Sequence, residues 1–328
     1  MRYLCGYSGS NGLFVVTGHS TFFFTDFRYK EIIQTEVSAD KKIIGKGSLI
    51  QIAAKNKIFS SASRIAFEKD HITFSEFEIV KSVVGAKKLL TISGIVEALR
   101  SVKDNWEIRM LQQAFEISDK VFMNILGIIR PGMTELELSA EISYRHKKLG
   151  AENDSFDVIV ASGERGSLPH GTASSKKIKN KEFITLDLGC IVNGYHSDMT
   201  RTICLGSPTA EMKKVYGIVL DAQQKACESV YEGVPSKKID GIARKYITSK
   251  GYGKYFGHSL GHGVGLEIHE LPRIAPQSKS KLNAGNVITI EPGIYLPQRF
   301  GVRIEDTLVV HEKGNTPLTR SPKGLIVI

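Results

Sequence analysis

The sequence predicts a mixed α/β (α+β) protein of two domains, the second of them built from two related halves. Three observations carry this expectation. At 328 residues the chain is long enough for two domains of ordinary size. Short apolar runs bounded by glycine and polar turns alternate with stretches of helical periodicity. The stretch FITLDLG at 183–189 returns as VITIEPG at 287–293, with Asp187 and Glu291 at the same fifth position of otherwise apolar strands.

The first domain is expected over 1–103. GLFVVTG (12–18) and STFFFTD (20–26) read as strands around a Gly18–His19 turn, 27–37 as a helix, and SRIAFE (63–68) and KKLLTI (87–92) as further strands. The polar stretch SVKDNWE (101–107) marks the boundary and puts the second domain at 104–328. There Asp104 and Glu107 form a capping-box pattern, and Leu111, Phe115, Phe122, Ile125 and Ile129 recur at helical spacing. Pro131-Gly132 ends that helix, and Thr134 with Glu137 opens another that closes near Gly150. A long loop leads to a strand pair over 183–205. The order then recurs. A helix follows Pro208-Thr209 to about Tyr231, Gly233-Val234-Pro235-Ser236 takes the place of Gly132-Met133-Thr134, and a second helix ends near Gly251. A Gly/His-rich loop and a strand pair over 287–311 complete the copy. A spacing of about a hundred residues exceeds that of solenoid repeats, so two fused halves are expected rather than an array.

Composition narrows the function. The 41% hydrophobic and 24% charged content is that of a globular protein, not a disordered one. No apolar run approaches the ~20 residues that span a bilayer, and MRYLCGYSGSNG lacks the order of a signal peptide. A cytoplasmic protein without a membrane partner is expected. Cys5, Cys190, Cys204 and Cys227 are scattered, which argues against a disulfide framework or a thiolate zinc site. The net charge of +10 is densest in KKIKNK (176–181), where no aromatic residue interleaves; it reads as solvated surface, and no nucleic-acid partner is expected.

Each repeated strand is followed by a second carboxylate. Asn193-Gly194 is a strong hairpin cue. With those two residues as the loop, Val192 faces Tyr195 and Gly189 faces Asp198. Period-two alternation then sets Asp187 and Asp198 diagonally on one face, about 7 Å apart at Cα. In the second copy Glu291 corresponds to Asp187, Glu305 to Asp198 and Thr307 to Thr200. Its loop is longer and leaves the register open; an odd-length loop or a bulge would put both acids on one face. An approximate twofold would gather all four carboxylates. Protons, arginine (Arg201, Arg303) or divalent cations would have to neutralise them, and oxygen-rich ligation favours ions such as Mn²⁺. His258, His262 and His269 lie in GHSLGHGVGLEIHE (257–270), whose glycines argue against a helix; His170 sits in SLPHGTA.

LDLG with HSDMTRT, then HSLGHGVGLEIHE, TIEPGIY and GVRIEDT, together resemble the M24 metallopeptidase family of pita-bread fold, over about 105–328. RYLCGYSGSNG and FFFTDFRY resemble the creatinase/prolidase N-terminal domain, which points to the proline-specific members. The resemblance implies a pita-bread domain with an internal pseudo-twofold and a site for two divalent ions, Mn²⁺ foremost, with Co²⁺ or Zn²⁺ as alternatives. Asp198 and Glu305 would bridge both ions, Asp187 would complete one shell, and His262 and Glu291 the other. Glu291 would also manage the proton, with His170, His258 and His269 as non-ligand catalytic residues. Arg303 would brace a ligand carboxylate. The activity implied is Xaa-Pro aminopeptidase on peptides with proline second, with Xaa-Pro dipeptidase (prolidase) as the alternative and a metal-free binding protein as the non-enzymatic one. A homodimer is the family-level expectation. Relatives carry a helix and a strand before the RYLxGFxGS segment, where this sequence begins; either the domain is trimmed or the sequence starts downstream of the true start, and a missing first strand would leave an unpaired sheet edge, with weakened folding or dimerisation expected rather than loss of metal binding.

Overall fold

A computed structural model describes every residue except Ser61 and divides the chain into two compact units, Met1–Val96 and Glu97–Ile328. The division falls inside the helix Ile95–Ser101, a few residues before the 103/104 position expected from the polar stretch.

In the first unit, Gly12–Val16 pairs antiparallel with Thr21–Thr25, which pairs parallel with Lys41–Ile44. The Thr17 N–H donates to the Ser20 carbonyl and closes the expected turn. Gly12–Val16 is an outer strand of this sheet. Ile65–Glu68 and Leu89–Ile92 form a separate parallel pair. Phe23 packs with Cys5, Tyr7, Ile33 and Val37 in a small core, while Phe24 faces Leu49 and Ala53. The expected helix over 27–37 is broken into a 3₁₀ turn, Phe27–Tyr29, and a short helix, Ile32–Glu36. Asp26 is the cause. Its carboxylate accepts from the Arg28 N–H and from the Arg28 side chain, and this local bonding competes with a continuous helix.

The second unit is duplicated. Asp104 and Thr134 each complete a capping box, opening the helices Asn105–Leu126 and Glu135–Lys148. In the second half Thr209 caps Ala210–Glu228, which stops short of Tyr231, and Ser236–Ser249 follows. The connectors between the helices make matching bonds. The Gly132 N–H donates to the Ile178 carbonyl (2.9 Å) and the Ile178 N–H to that of Met133 (2.8 Å); Gly233 with Leu282 (2.8 Å) and Leu282 with Val234 (3.0 Å) repeat the pair.

Each half lays its helices on its own sheet. In the first, Glu182–Leu188 runs between Met199–Leu205 and Ile159–Ser162, all antiparallel. Phe122, Ile125, Leu138 and Ile142 pack on Ile184, Leu186 and Leu188. In the second, Val287–Ile290 and Asp306–Val310 lie inside a five-stranded sheet, with Val215, Val219, Ile239 and Ala243 packed on Ile288, Ile290 and Leu308. No helix among the described residues is long and apolar enough to cross a membrane.

Both hairpin registers follow from their turns. Asn193 (φ 48°) and Gly194 (φ 78°) both take positive φ, as a two-residue primed turn requires. Val192 pairs with Tyr195, and the same register continues to Leu188 with Met199 and Asp187 with Thr200. The second hairpin turns through 297–299, an odd-length loop with Gln298 at φ 59°. Gly293 pairs with Arg303 and Ile290 with Asp306, so Glu291 lies across from Glu305.

Candidate active site

One cavity of about 790 Å³ in the second unit is lined by Asp187, Asp198, His262, Glu291 and Glu305, together with His170, His258, His269 and Arg303. Every site residue expected from the sequence therefore borders a single space.

The acids come from the facing hairpins. Asp198 and Glu305 are buried, and one ligand atom from each lies within 4.8 Å of the other and of His262. The His262 Nε2 is 3.5 Å from Asp198 Oδ2 and 3.3 Å from Glu291 Oε1. Its Nδ1 faces the Gly263 carbonyl at 3.1 Å, so that nitrogen carries the hydrogen and Nε2 is the one offered to the acids. Thr289 sets both neighbours, accepting the His262 N–H at 3.0 Å and donating to Glu291 Oε1 at 3.2 Å.

Charge accumulates here. Burial, then the charges of Glu305, Asp187 and Glu291, push the Asp198 carboxyl well above its ordinary range. Burial and the charges of Glu291 and Asp187 do the same to Glu305. Burial raises Asp187 despite the Arg303 guanidinium beside it. Glu291 goes the other way: burial opposes its charge, but the His262 imidazole outweighs that and brings it down to about 2. Burial likewise disfavours the His262 cation, and Glu291 reverses the sign and raises it.

Two carboxylate oxygens, Asp187 Oδ1 and Glu305 Oε1, are buried without a hydrogen-bond partner. Such atoms are costly unless a positive centre meets them. The donor set has many oxygens and one imidazole nitrogen, which suits hard or borderline divalent cations.

The remaining oxygens of these two acids are taken. Arg303 Nη2 donates to Asp187 Oδ2 at 2.6 Å, and the Thr200 hydroxyl donates to Glu305 Oε2 at 2.7 Å. Arg303 Nε also donates to Thr200 Oγ1 at 3.0 Å, so one guanidinium steadies acids of both halves. Its Nη1 reaches the Pro169 carbonyl (2.9 Å), next to His170, and the Tyr295 hydroxyl (3.0 Å). Tyr295 in turn meets His258 Nε2 at 2.9 Å, while His258 Nδ1 donates to the Ser259 carbonyl at 2.8 Å. Both ring nitrogens of His258 are thus engaged. Burial holds His258 and His269 below the ordinary imidazole range. His269 packs edge-on against His262, with ring centroids 4.3 Å apart.

Sequence reasoning assigned no role to Tyr295 or Thr200. The signal for both was strand alternation. Tyr295 follows Glu291 by four residues and Thr200 follows Asp198 by two, so each shares a face with an acid. Gly293, opposite Arg303, leaves the room; a methyl there would lie 2.6 Å from the Tyr295 hydroxyl oxygen.

Comparison with known proteins agrees with this architecture. Residues 109–312 match metallopeptidase family M24, and residues 1–102 match the creatinase/prolidase N-terminal domain. The chain is 38% identical over 318 residues to an Xaa-Pro dipeptidase of Pyrococcus horikoshii, covering 97% of this chain and 89% of that one. It superimposes on an Xaa-Pro dipeptidase from Bacillus anthracis with a TM-score of 0.96 at 42% identity, covering 100% of this chain and 92% of the other. An X-Pro aminopeptidase from Thermotoga maritima gives a TM-score of 0.94 at 39% identity, covering 100% and 93%. The chain belongs to metallopeptidase family M24, with a creatinase-like N-terminal domain preceding a pita-bread catalytic domain.

Proposed function

We propose that this protein is an Xaa-Pro dipeptidase, a prolidase, whose two divalent metal ions are held by Asp187, Asp198, His262, Glu291 and Glu305. The observation that carries the metal site is the convergence of these five side chains on one cavity wall with two buried carboxylate oxygens unmatched. Asp198 and Glu305, one carboxylate from each half, would hold the ions together with Asp187, His262 and Glu291. Mn²⁺ suits the donor set best. The ions would supply Lewis acidity, for water activation near neutral pH and for polarising the scissile carbonyl.

The chain's own groups do the rest. Glu291, a carboxylate on the cavity wall, would take the proton of the attacking water. Tyr295 and His258 form a connected pair on the cavity wall, through which a proton can pass toward the leaving proline nitrogen. His269 and His170 border the cavity and would position the peptide.

The aminopeptidase reading stood first in the sequence. Two features favour the dipeptidase. Relatives named for it match along almost the whole chain. Arg273 also lines the cavity and makes no ion pair among the described residues, so it is a cation suited to the free carboxylate that an Xaa-Pro dipeptide ends in. The Thermotoga relative keeps the aminopeptidase reading in the test. Protein stripped with EDTA and reloaded with Mn²⁺, Co²⁺ or Zn²⁺ is assayed on Ala-Pro and Ala-Pro-Ala. Metal-dependent cleavage of Ala-Pro alone is expected. Equal release of alanine from Ala-Pro-Ala makes it an aminopeptidase, and no metal-dependent cleavage of either peptide refutes the proposal. A homodimer is proposed with it, to be read by sedimentation.

A further inference from the structure

Arg201 is the largest fully buried side chain among the described residues, 1% exposed, and neither its charge nor its place is used by the chemistry above. It lies on Met199–Leu205, between Thr200 and Thr202. All its donors are spent. Nη1 donates to the Thr200 carbonyl (3.0 Å) and to the carbonyl of Glu305; Nη2 donates to Asp306 Oδ1 (2.8 Å) and to the Ser321 carbonyl (2.7 Å); Nε donates to the Pro322 carbonyl (3.1 Å). Asp306 is itself fixed, its Oδ2 accepting from Gln223 Nε2 (3.1 Å) and from Lys323 Nζ (2.6 Å).

This pattern meets a need of the site. Asp198 and Glu305 come from different halves, and Met199–Leu205 and Asp306–Val310 belong to separate sheets, so no strand ladder sets their separation. Other bonds cross the junction: the Glu305 N–H to the Thr200 carbonyl (3.1 Å), the Thr307 hydroxyl to the Asp198 carbonyl (3.1 Å), the Thr200 hydroxyl to Glu305, the Thr202 hydroxyl with the Arg303 backbone (3.0 and 3.1 Å), and the Arg303 side chain to Thr200 and Asp187, which holds side chains where Arg201 holds backbone. Arg201 grips the backbone on both sides, with a planar fork that a lysine cannot reproduce. The duplication does not supply a second grip. With Thr200 matching Thr307, the counterpart of Arg201 is Leu308, buried in the apolar core of the second half.

We infer that Arg201 is the positioning residue that fixes the approach of the Asp198 and Glu305 carboxylates, and so the spacing at which the pair takes up divalent ions. The inference rests on the metal reading of those acids. A residue that merely filled the core would affect stability alone; one that sets ligand spacing also changes ion affinity and the magnetic coupling between two ions.

The test uses the full chain, stripped of metal, as wild type, R201K and D306N. Asp306→Asn keeps the shape of the Arg201 partner and removes its charge, so it serves if R201K fails to fold. Circular dichroism establishes folding at a temperature well below the melting transition. Mn²⁺ uptake is then followed by calorimetry, and the exchange-coupled signal of two Mn²⁺ ions by electron paramagnetic resonance. Wild type is expected to take up two ions with a coupled signal. Folded R201K should bind the more weakly held ion at least about tenfold less tightly and lose the coupled signal, with D306N shifted in the same direction. Folded variants with wild-type affinity and signal overturn the inference, and if R201K is unfolded, D306N alone decides it. If wild type takes up only one ion, the two-ion reading falls, and Arg201 is judged on the affinity for that ion.

Discussion

Replacing Asp198 with Asn should make the metal-free protein more stable and the metal-loaded protein less stable. The side chain is nearly isosteric, so what changes is one negative charge. Asp198 lies with Glu305 and His262 in a cluster whose ligand atoms are within 4.8 Å of one another, and at an effective dielectric near 20 two like charges at that separation repel by roughly 3.5 kcal/mol. Part of that is already relieved, because burial and the neighbouring acids hold Asp198 and Glu305 toward their protonated forms, and the His262 cation offsets more. A net gain of about 1–2 kcal/mol for metal-free D198N remains, or a melting temperature higher by roughly 2–8 °C at this size. With Mn²⁺ at about 100 times its dissociation constant, wild type gains about 2.7 kcal/mol and the variant little of it. Two melting curves with EDTA and two with Mn²⁺ should therefore cross in order. Local damage would lower the variant under both conditions. A metal-free D198N that melts below wild type, or one that keeps the full Mn²⁺ shift, refutes the idea that these acids repel each other and are reconciled by a cation.

Further consequences can be measured directly. Tyr295→Phe leaves the ring and removes the hydroxyl that joins Arg303 to His258; kcat on Ala-Pro should fall by about tenfold or more with a smaller change in KM. Gly194→Ala forces a side chain into φ 78° and should cost about 1–2 kcal/mol by urea denaturation, confirming that the turn sets the first hairpin. Away from the site, burial pushes Asp154 up, but hydrogen bonds from His146 and Ser143 outweigh it and hold the carboxyl below its ordinary value. A lowered carboxylate stabilises the fold above its unfolded pKa of about 3.9 and loses that contribution as pH falls through the folded value, so the urea midpoints of wild type and D154N should converge below about pH 4.

Local chemistry explains which parts of this architecture were legible in the sequence. Capping boxes at Asp104 and Thr134 depend on residues three apart, and both form. The Asn193-Gly194 turn fixes its register from two residues, which placed Asp187 and Asp198 correctly on one face. The second loop carries no such signal, and there the sequence left the register open. Its odd length and the left-handed Gln298 put Glu291 squarely opposite Glu305, where Asp187 and Asp198 are diagonal. The two halves thus present their acids differently despite their matching motifs. Of the supporting layer only the bracing role of Arg303 was legible, and not its partner Asp187; the pairings of Thr200 with Glu305 and Arg201 with Asp306 were not, because those partners are distant in the chain. Alternation says which way Tyr295 and Thr200 point, but it does not say what they meet. A duplicated sequence reveals the groups present twice, such as Thr200 and Thr307, each bonded to the other half; Arg201 joins the copies too but occurs once, its counterpart being the apolar Leu308, and only the folded chain brings its partners together.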